Sequence, residues 1–574
     1  MKIRSTSSVP APLPVVSLLV ALSCLAPSPA RAQELNYQTF LIGDRALGMG
    51  GAFTGLADDA AASWYNPAGL AQVRSSSIGG SLSVDAYRRY VIEDGYGSPI
   101  GVADLEHDDL PSVPLFAGLV KKFGGRDPDG VRRHAFALST IHPTPLNRRF
   151  EVQLTNATTG VTTTLRITES DSTSWWGPSY AYRVTPRFAL GASAFLVTRD
   201  FMHEEDELIV QEGARDPDGF FRNSNLSLRQ STASLDAKSA VFRLGAIWDP
   251  DDHFRIGLMV QPPGLQFDGS SRIYERRSYA DLMAAPDPIA TFFASDQNDL
   301  ESESPIPWEV RLGAAYRHDE NFTAVLDLSL HGPIGSEAAP VLPFGAPGPE
   351  PVTGETPQPG DYLVQELRSE LTANVSLGME SIIAEVVPLR AGLFTNFSAA
   401  PSVEGPSDTY GPANVDGFGA SLSVGIRSGG YDLAVGAAGV MGSGRGYRTN
   451  PDPGGVVPER YLPADVESQT LYFFLTGHKS AISRLAREVY NEYLRPEEVR
   501  ERRERERLER ERLDALREEC EQRLQEQLDR EAEENAAQSP GSEAGSSEPE
   551  APAETPEEGP AVPEADPAPA PALE

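Results

Sequence analysis

Only two cysteines occur in 574 residues, and one of them, Cys24, lies close to the N-terminus. Without that N-terminal stretch Cys520 stands alone. A disulfide framework or a cysteine-based zinc site within one mature chain is therefore excluded. Long apolar runs are also missing. Beyond residue 32 no stretch approaches the ~18 uninterrupted apolar residues that a membrane helix needs. Positive charge is scarce: 49 Lys and Arg stand against 83 Asp and Glu, a net charge of −34. Such a chain would be repelled by a polyanion, so nucleic acid is not an expected partner. Part of the acid is local, since nine acidic residues and no basic ones follow Ala537. The signatures of hydrolytic chemistry are absent too. There is no G-x-S-x-G elbow and no H-E-x-x-H, the 8 histidines are scattered, and no Ser–His spacing singles out a phospholipase. The expectation is a non-enzyme with no catalytic residues, no cofactor and no metal.

What is present begins with a leader. Lys2 and Arg4 form a basic start, Val15 to Leu25 a short apolar stretch, and Ala30-Arg31-Ala32 an A-x-A site. Residues 1–32 read as a Sec-type signal peptide cut before Gln33. Lipidation at Cys24 is the alternative, but Ala21-Leu22-Ser23 is a poor box for it. An exported chain with no membrane helix can span a membrane only with strands.

From about Ser75 to Lys479, segments of ten or so residues alternate apolar with small or polar. In Trp308 to Tyr316, Glu309 and Arg311 oppose an apolar face. Leu371, Ala373, Val375 and Leu377 oppose Thr372 and Asn374, and Ile78 and Leu82 oppose Ser77 and Ser81. Period two means strands with two different surroundings. Short turns at 184–187, 249–252, 318–321 and 427–430 alternate with long polar loops at about 91–111, 201–227, 269–304, 333–360 and 443–465. That asymmetry is the habit of an outer-membrane barrel. The segments number about fourteen, an even count that returns the chain to the periplasm. Trp308 and Tyr316 bracket one strand, and Trp175, Tyr182 and Trp248 lie near the ends of others, as interfacial aromatics do. A soluble sandwich or propeller also alternates, but Ser, Gly, Asp, Arg and Asn on the mixed face suit a wet lumen better. Asp127-Pro128-Asp129-Gly130 and Asp216 to Gly219 read as turns. His203-Glu204-Glu205-Asp206 reads as a solvated loop, with a divalent-cation contact as the sharper alternative.

One stretch stands apart. Gly43 to Leu70 is crowded with glycine and alanine and closes on Trp64-Tyr65-Asn66-Pro67-Ala68. Such small residues cannot build a core of their own. Proline biases Asn66 away from helix, and the Asn side chain can bond nearby backbone. Gly48-x-Gly50-Gly51 invites a nucleotide-loop reading, yet no strand–helix context frames it. The segment resembles the N-terminal hatch of the FadL/TodX family of outer-membrane transporters, in which it plugs the barrel and ends in Asn-Pro-Ala. The resemblance implies an all-β, 14-stranded antiparallel transmembrane β-barrel over 73–479, with residues 33–72 as the hatch. It makes Gly48, Gly50, Gly51, Asn66, Pro67 and Ala68 the hatch motif. The implied function is passive uptake of a hydrophobic small molecule, a long-chain fatty acid or similar, across the outer membrane, by a barrel that has outer-membrane lipid as its partner. Ligand would be caught by outer loops, held in an apolar pocket and released when the hatch shifts. Arg243, Arg255, Arg311 and Arg390 fall on the presumed lumen face. They either meet a ligand carboxylate or brace the barrel by pairing with Glu309, Asp327 or Glu370.

The chain continues past its last strand. Residues 480–535 read as helix, dense in Arg and Glu with many i,i+4 pairs. Leu513, Leu516, Cys520, Leu524 and Leu528 form a narrow stripe. A solvated single helix and a short coiled coil both fit, the latter with Cys520 placed for a disulfide in an oxidising periplasm. Residues 536–574 are Pro, Ala, Glu and Ser, and read as a disordered acidic tail. A periplasmic extension implies a periplasmic protein partner or self-association through 481–535. It keeps a second function open, a non-transport scaffold or protein-shuttling barrel like the PorV-like relatives that share the hatch.

Overall fold

The computed structural model describes residues 35–98, 100–109, 116–142, 146–213, 225–281, 289–335, 368–407, 411–449, 461–480 and parts of 507–530. The expected leader, the acidic tail, the turn at 216–219 and most of the loop at 333–360 lie outside the described residues, as do Cys520, Leu524 and Leu528. Residues 1–485 and 486–574 form two separate units.

Among the described residues the first unit is one sheet of eighteen strands. In chain order they begin with β1 (Ser77–Ser98), β2 (Gly101–Asp109), β3 (Phe116–Arg126), β4 (Arg132–Ile141), β5 (Leu146–Asn156) and β6 (Val161–Thr185). Next come β7 (Phe188–Gln211), β8 (Asn225–Trp248), β9 (Phe254–Gln261), β10 (Leu265–Asp281), β11 (Ile289–Glu301) and β12 (Glu309–Arg317). The last are β13 (Phe322–His331), β14 (Thr372–Ile383), β15 (Val387–Asn396), β16 (Asn414–Ser428), β17 (Tyr431–Thr449) and β18 (Tyr461–Ser480). Antiparallel ladders join β1 to β3, β4, β6, β7, β8 and β9 in turn. They continue through β12 to β18, and β18 pairs back on β1. The sheet is a closed barrel.

The sheet has eighteen strands among the described residues where fourteen were expected; the ring just traced passes through fourteen of them, and β2, β5, β10 and β11 pair beside it. The stretches expected as long loops at 91–111, 201–227 and 269–304 are in large part strand, since β2 pairs with the end of β1 and β10 with β8 and β11; β5, paired with the start of β6, lies where neither strand nor loop was assigned. The long members β6, β7 and β8 run for 25, 24 and 24 residues. At ~3.3 Å per residue that is about 80 Å, well beyond the ~25 Å apolar band of a membrane barrel even when tilted.

The side chains of β6 show how these extensions are built. Near the short turns, Trp176 and Tyr180 point outward, 52% and 44% exposed, while Ser179 is buried inside. Farther out the order inverts. Thr163, Leu165, Ile167 and Glu169 are buried, and the opposite face carries Thr162, Thr164, Arg166 and Thr168. The lower half has lipid outside and polar groups inside; the upper half is built like a water-soluble sheet. Tyr90, Ile92, Tyr96, Leu105, Phe150, Leu165 and Ile167 share one core of that upper half. His203-Glu204-Glu205-Asp206 is accordingly part of β7, with His203 and Glu205 buried rather than solvated. No metal-binding cluster of carboxylate, histidine or cysteine side chains occurs among the described residues. Trp175 also departs from expectation: it faces the lumen, and its neighbour Trp176 faces out.

In the second unit, helix is described at 507–508, 511–517, 521–523 and 525–527. Arg507–Glu511, Arg517–Glu521, Arg523–Glu519 and Arg530–Glu526 are i,i+4 ion pairs. Leu513 and Leu516 are more than half exposed.

The inversion sets up a paired test. Leu312 faces outward in the lower half of β12 and is 51% exposed. Leu312→Arg should lower stability by about 2–4 kcal/mol, as a cation near the bilayer midplane does, whereas Thr164→Arg on the polar outer face should cost about 1 kcal/mol or less. Urea unfolding in lipid vesicles, read by heat-modifiable gel mobility, measures both.

Candidate functional site

The lumen is closed by residues 36–72. Two single-turn helices, α1 (Arg45–Gly48) and α2 (Ala62–Tyr65), and a 3-10 turn at Pro67–Ala71 are joined by tight bends. Gly50 and Gly51 sit at φ +65° and +77°, a left-handed bend that side chains rarely tolerate. Pro67 starts the 3-10 turn, where its missing N–H costs nothing. Asn66 fixes that end. Its Oδ1 accepts from Ala68 N at 3.2 Å, and its Nδ2 donates to Thr54 O at 3.1 Å and to Ala246 O of β8 at 3.0 Å. The hatch thus meets the wall backbone to backbone.

That approach requires a collar of glycines on the wall. Gly191, Gly245, Gly257, Gly313, Gly378 and Gly392, on six different strands, face the hatch. A Cβ on Gly257 would lie 2.1 Å from Thr54 O, one on Gly392 2.1 Å from Gly50 N, and one on Gly313 2.4 Å from Gly55 N. Around the collar, wall side chains take the place of water on the hatch backbone. Asp327 accepts from Phe53 N and Thr54 N at 2.7 and 2.6 Å, and Ser421 from Gly50 N at 2.8 Å. Lys122 donates to Ala71 O at 2.8 Å, and Ser193 to Ser63 O at 3.0 Å.

The lumenal arginines are all buried and fall into two places. Arg390 and Arg255 belong to the hatch seal. Arg45 of α1 pairs with Asp58 and, at 2.5 Å, with Glu380 of β14; Glu380 meets Arg390 at 2.7 Å, and Arg390 meets Asp432 at 3.0 Å. Arg255 bonds Asp249 at 2.6 Å and donates to Leu56 O. Arg243 and Arg311 lie higher and share Glu309, Arg243 at 3.1 Å. Arg243 also donates to Trp64 O and stacks over the Trp64 ring at 3.8 Å. Asp327 serves the hatch N–H groups, and Glu370 lies 3.8 Å from Arg368.

Two hatch carboxyls have no cation of their own at hydrogen-bond distance. Burial pushes Asp59 up to about 8, with Asp44 and Asp58 adding to the rise. Burial pushes Asp44 up to about 6, with Arg390 opposing and Asp432 adding. Asp59 Oδ2 has no partner among the described residues, as suits a protonated carboxyl.

A cavity of about 200 Å³ is lined by Trp64 of the hatch and Trp175 of the wall, and also by Val197, Ile306, Ile334 and Tyr37, with Arg243, Arg311, Glu309 and His331 on its polar side. Of the sequence-derived candidates, Arg243 and Arg311 reach this cavity, and Arg255 and Arg390 do not line it. On the lipid face a second hollow of about 660 Å³ lies among Leu119, Leu138, Trp176 and Phe242. There the β6–β7 ladder skips Gly177 and Pro178 opposite Phe195 and Ala194. Pro178 has no N–H to give.

The sequence model for a family described as "Outer membrane protein transport protein (OMPP1/FadL/TodX)" matches residues 26–332, which take in the hatch and β1 to β13. The chain belongs to the FadL/TodX family. This is a family of outer-membrane transporters of hydrophobic compounds. Among solved structures the chain is similar to a FadL homologue of Pseudomonas aeruginosa (13% identity, 78% of this chain and 99% of that chain, TM-score 0.49). It is similar to the toluene transporter TodX of P. putida (12% identity, 78% and 99%, TM-score 0.47) and to the toluene transporter TbuX of Ralstonia pickettii (12% identity, 78% and 100%, TM-score 0.43). No curated protein matches the sequence.

Within this FadL/TodX-family barrel, Arg45, Glu380, Asp249 and Asp432 were not found by sequence reasoning. Their partners are remote in sequence or lie in turns. The collar left a faint trace, glycines recurring inside strands, where they otherwise weaken packing.

The collar and the buried carboxyls each yield a prediction. Gly257→Val forces the wall into Thr54, so the barrel should still form while proteolysis between residues 43 and 70 speeds up about tenfold or more, equivalent to ~1.4 kcal/mol of lost hatch docking. An unchanged cleavage rate would count against backbone-to-backbone docking. Asp59 keeps its proton in the folded state up to pH about 8, but loses it near 3.8 when unfolded. Its contribution to stability therefore falls as pH rises from about 4 to 8 and is level above. Asp59→Asn should reduce that slope, as read by denaturation midpoints at pH 5 and pH 9.

Proposed function

We propose that this protein takes up compact hydrophobic molecules passively across the outer membrane, through the lumen that the hatch floors. The observation that carries the reading is the cavity itself. Its two tryptophans come from different parts, Trp64 from the hatch and Trp175 from the wall. An occupant would touch the fixed and the displaceable element together.

Size narrows the class. An apolar cavity of about 150 Å³ holds benzene, so about 200 Å³ suits a molecule of one substituted ring. A long-chain fatty acid would fit only in part, its remaining length extending toward the outer mouth. Each CH₂ or ring carbon buried contributes about 0.8 kcal/mol, which suffices for capture without a dedicated ion pair. The arginines fit this picture as braces, because each is already bonded to a carboxylate. For exit, two routes suit the geometry: displacement of the hatch toward the periplasm, or passage by the unpaired β6–β7 segment into the lipid-facing hollow.

Proteoliposome uptake tests this. Labelled toluene should enter vesicles faster through the full chain than through empty vesicles. Deleting residues 36–71 should in addition admit sucrose, which the intact hatch excludes. Hydrocarbon uptake no faster than in empty vesicles, with no hydrophobic molecule co-purifying, would sink the reading.

The second reading, a scaffold acting through residues 481–574, is favoured by the separate charged unit after the barrel. Truncation after residue 480 separates the two. On the uptake reading transport is unchanged; on the scaffold reading a co-purifying protein is lost and transport was never there.

A further inference from the structure

The β3–β4 hairpin differs in charge from other short turns. Residues 116–141 hold Lys121, Lys122, Arg126, Arg132 and Arg133, but their only acids are Asp127 and Asp129. Both acids pair with Arg183 of β6, each at 2.8 Å. Three other short turns carry acid instead: Asp249, Asp251 and Asp252 in one, Asp319 and Glu320 in the next, Glu385 in the third.

Strand register puts three of the cations on the lipid-facing side. Leu119 opposes Leu138, Lys121 opposes Phe136, Phe123 opposes His134 and Arg126 opposes Arg132. Directly opposed residues share a face, and Leu119, Phe123, Phe136 and Leu138 are exposed on the outside of the barrel. Lys121, Arg126 and Arg132 are exposed on that same face. Arg126 donates to Gly130 O and Arg132 to Gly124 O, and none of the three pairs with a carboxylate among the described residues. Phe123 and His134 stack at 5.3 Å, and His134 Nδ1 is hydrogen-bonded to the Tyr180 hydroxyl at 2.7 Å. Aromatics at the end of an apolar band, with cations beside them, mark the level of the lipid head groups.

Farther into the membrane the same face opens on the hollow of about 660 Å³. Ile78, Leu119 and Leu138, aligned across β1, β3 and β4, line it together with Trp176 and Phe242. Along the strands, Leu119 and Leu138 are the outward residues next to Lys121 and Phe136, ~7 Å away. In a bilayer the hollow is filled by hydrocarbon, and that filling selects nothing. Lipid tails are as apolar as leucine, so a chain gains little by moving from the bilayer into the hollow. Selection falls to the cations.

We propose that the β3–β4 hairpin and the hollow together bind one anionic phospholipid of the periplasmic leaflet. Its phosphate lies among Lys121, Arg126 and Arg132, and one acyl chain lies in the hollow. The site belongs to the outer wall and is independent of what passes through the lumen.

Bromine on an acyl chain quenches a tryptophan that it touches, and Trp176 lines the hollow. The full chain is reconstituted in phosphatidylethanolamine vesicles that carry the same minor fraction of either dibromo-acyl phosphatidylglycerol or dibromo-acyl phosphatidylethanolamine. The brominated phosphatidylglycerol should quench more strongly, and the excess should vanish in Trp176→Phe. Arg132→Gln should weaken the preference about fivefold, equivalent to ~1 kcal/mol for one surface cation. Lys121→Gln, Arg126→Gln and Arg132→Gln together should abolish it, with heat-modifiable gel mobility checking that the barrel is assembled. Equal quenching by the two lipids in the native chain overturns the proposal, as does a preference that survives the triple substitution. An excess that persists in Trp176→Phe overturns the seat in the hollow. Where the triple variant fails to assemble, salt decides with the native chain. The preference should fall as salt is raised, because surface charge is screened, and a salt-independent preference overturns the proposal.

Discussion

Everything in this barrel depends on burying a polypeptide backbone inside it. A hatch of glycine and alanine exposes peptide groups instead of covering them with side chains. Each of those groups needs a partner once water is excluded. The wall supplies partners by two means. It omits side chains at the collar, so that hatch backbone lies against strand backbone, and it places Asp327, Ser421, Lys122 and Ser193 where N–H and C=O groups would otherwise be stranded. Removing bulk from one partner made room for backbone from the other. The hatch sequence and the strand glycines are two sides of one packing solution.

The buried charges follow from the same constraint. Glu309 holds two arginines and Glu380 three, the third being Arg427 at 3.7 Å, and each hub touches the hatch through an arginine: Arg243 to Trp64 O, Arg45 from α1. Buried pairs of this kind give little net stability, yet removing one partner leaves the other charged and dry. They define a unique seating more than they strengthen it. One seating lies level with the collar, and the other lines the cavity.

Much of this was legible in the sequence, and what was not had physical reasons. The alternation of Glu309 and Arg311 against Val310 and Leu312 exposed a two-sided strand, and Asn66-Pro67 exposed a fixed chain bend. Parity alone cannot say which face is inside. Trp175 was therefore expected among the interfacial aromatics, although it lines the lumen and its neighbour Trp176 meets lipid. The same ambiguity turned the outer strand segments into supposed loops. Thr162, Thr164 and Arg166 look like loop residues until Leu165 and Ile167 are seen to be buried behind them. Period put Arg243, Arg255, Arg311 and Arg390 on one strand face, and all four are buried, but Asp249, Glu380 and Asp432 became partners of Arg255 and Arg390 only through the fold.

The inversion along β6, β7 and β8 also divides the barrel energetically. The lower part is held by lipid around it and polar groups within; the upper part has an apolar interior of its own, including Tyr96, Leu105 and Phe150. Yet the β7–β8 ladder runs unbroken through both. Two cooperative units with different solvents are thus spliced along common strands. Denaturant in water acts first on the upper one, and thinning of the bilayer on the lower, so loosening of either can travel along the strands to the other without a hinge between them.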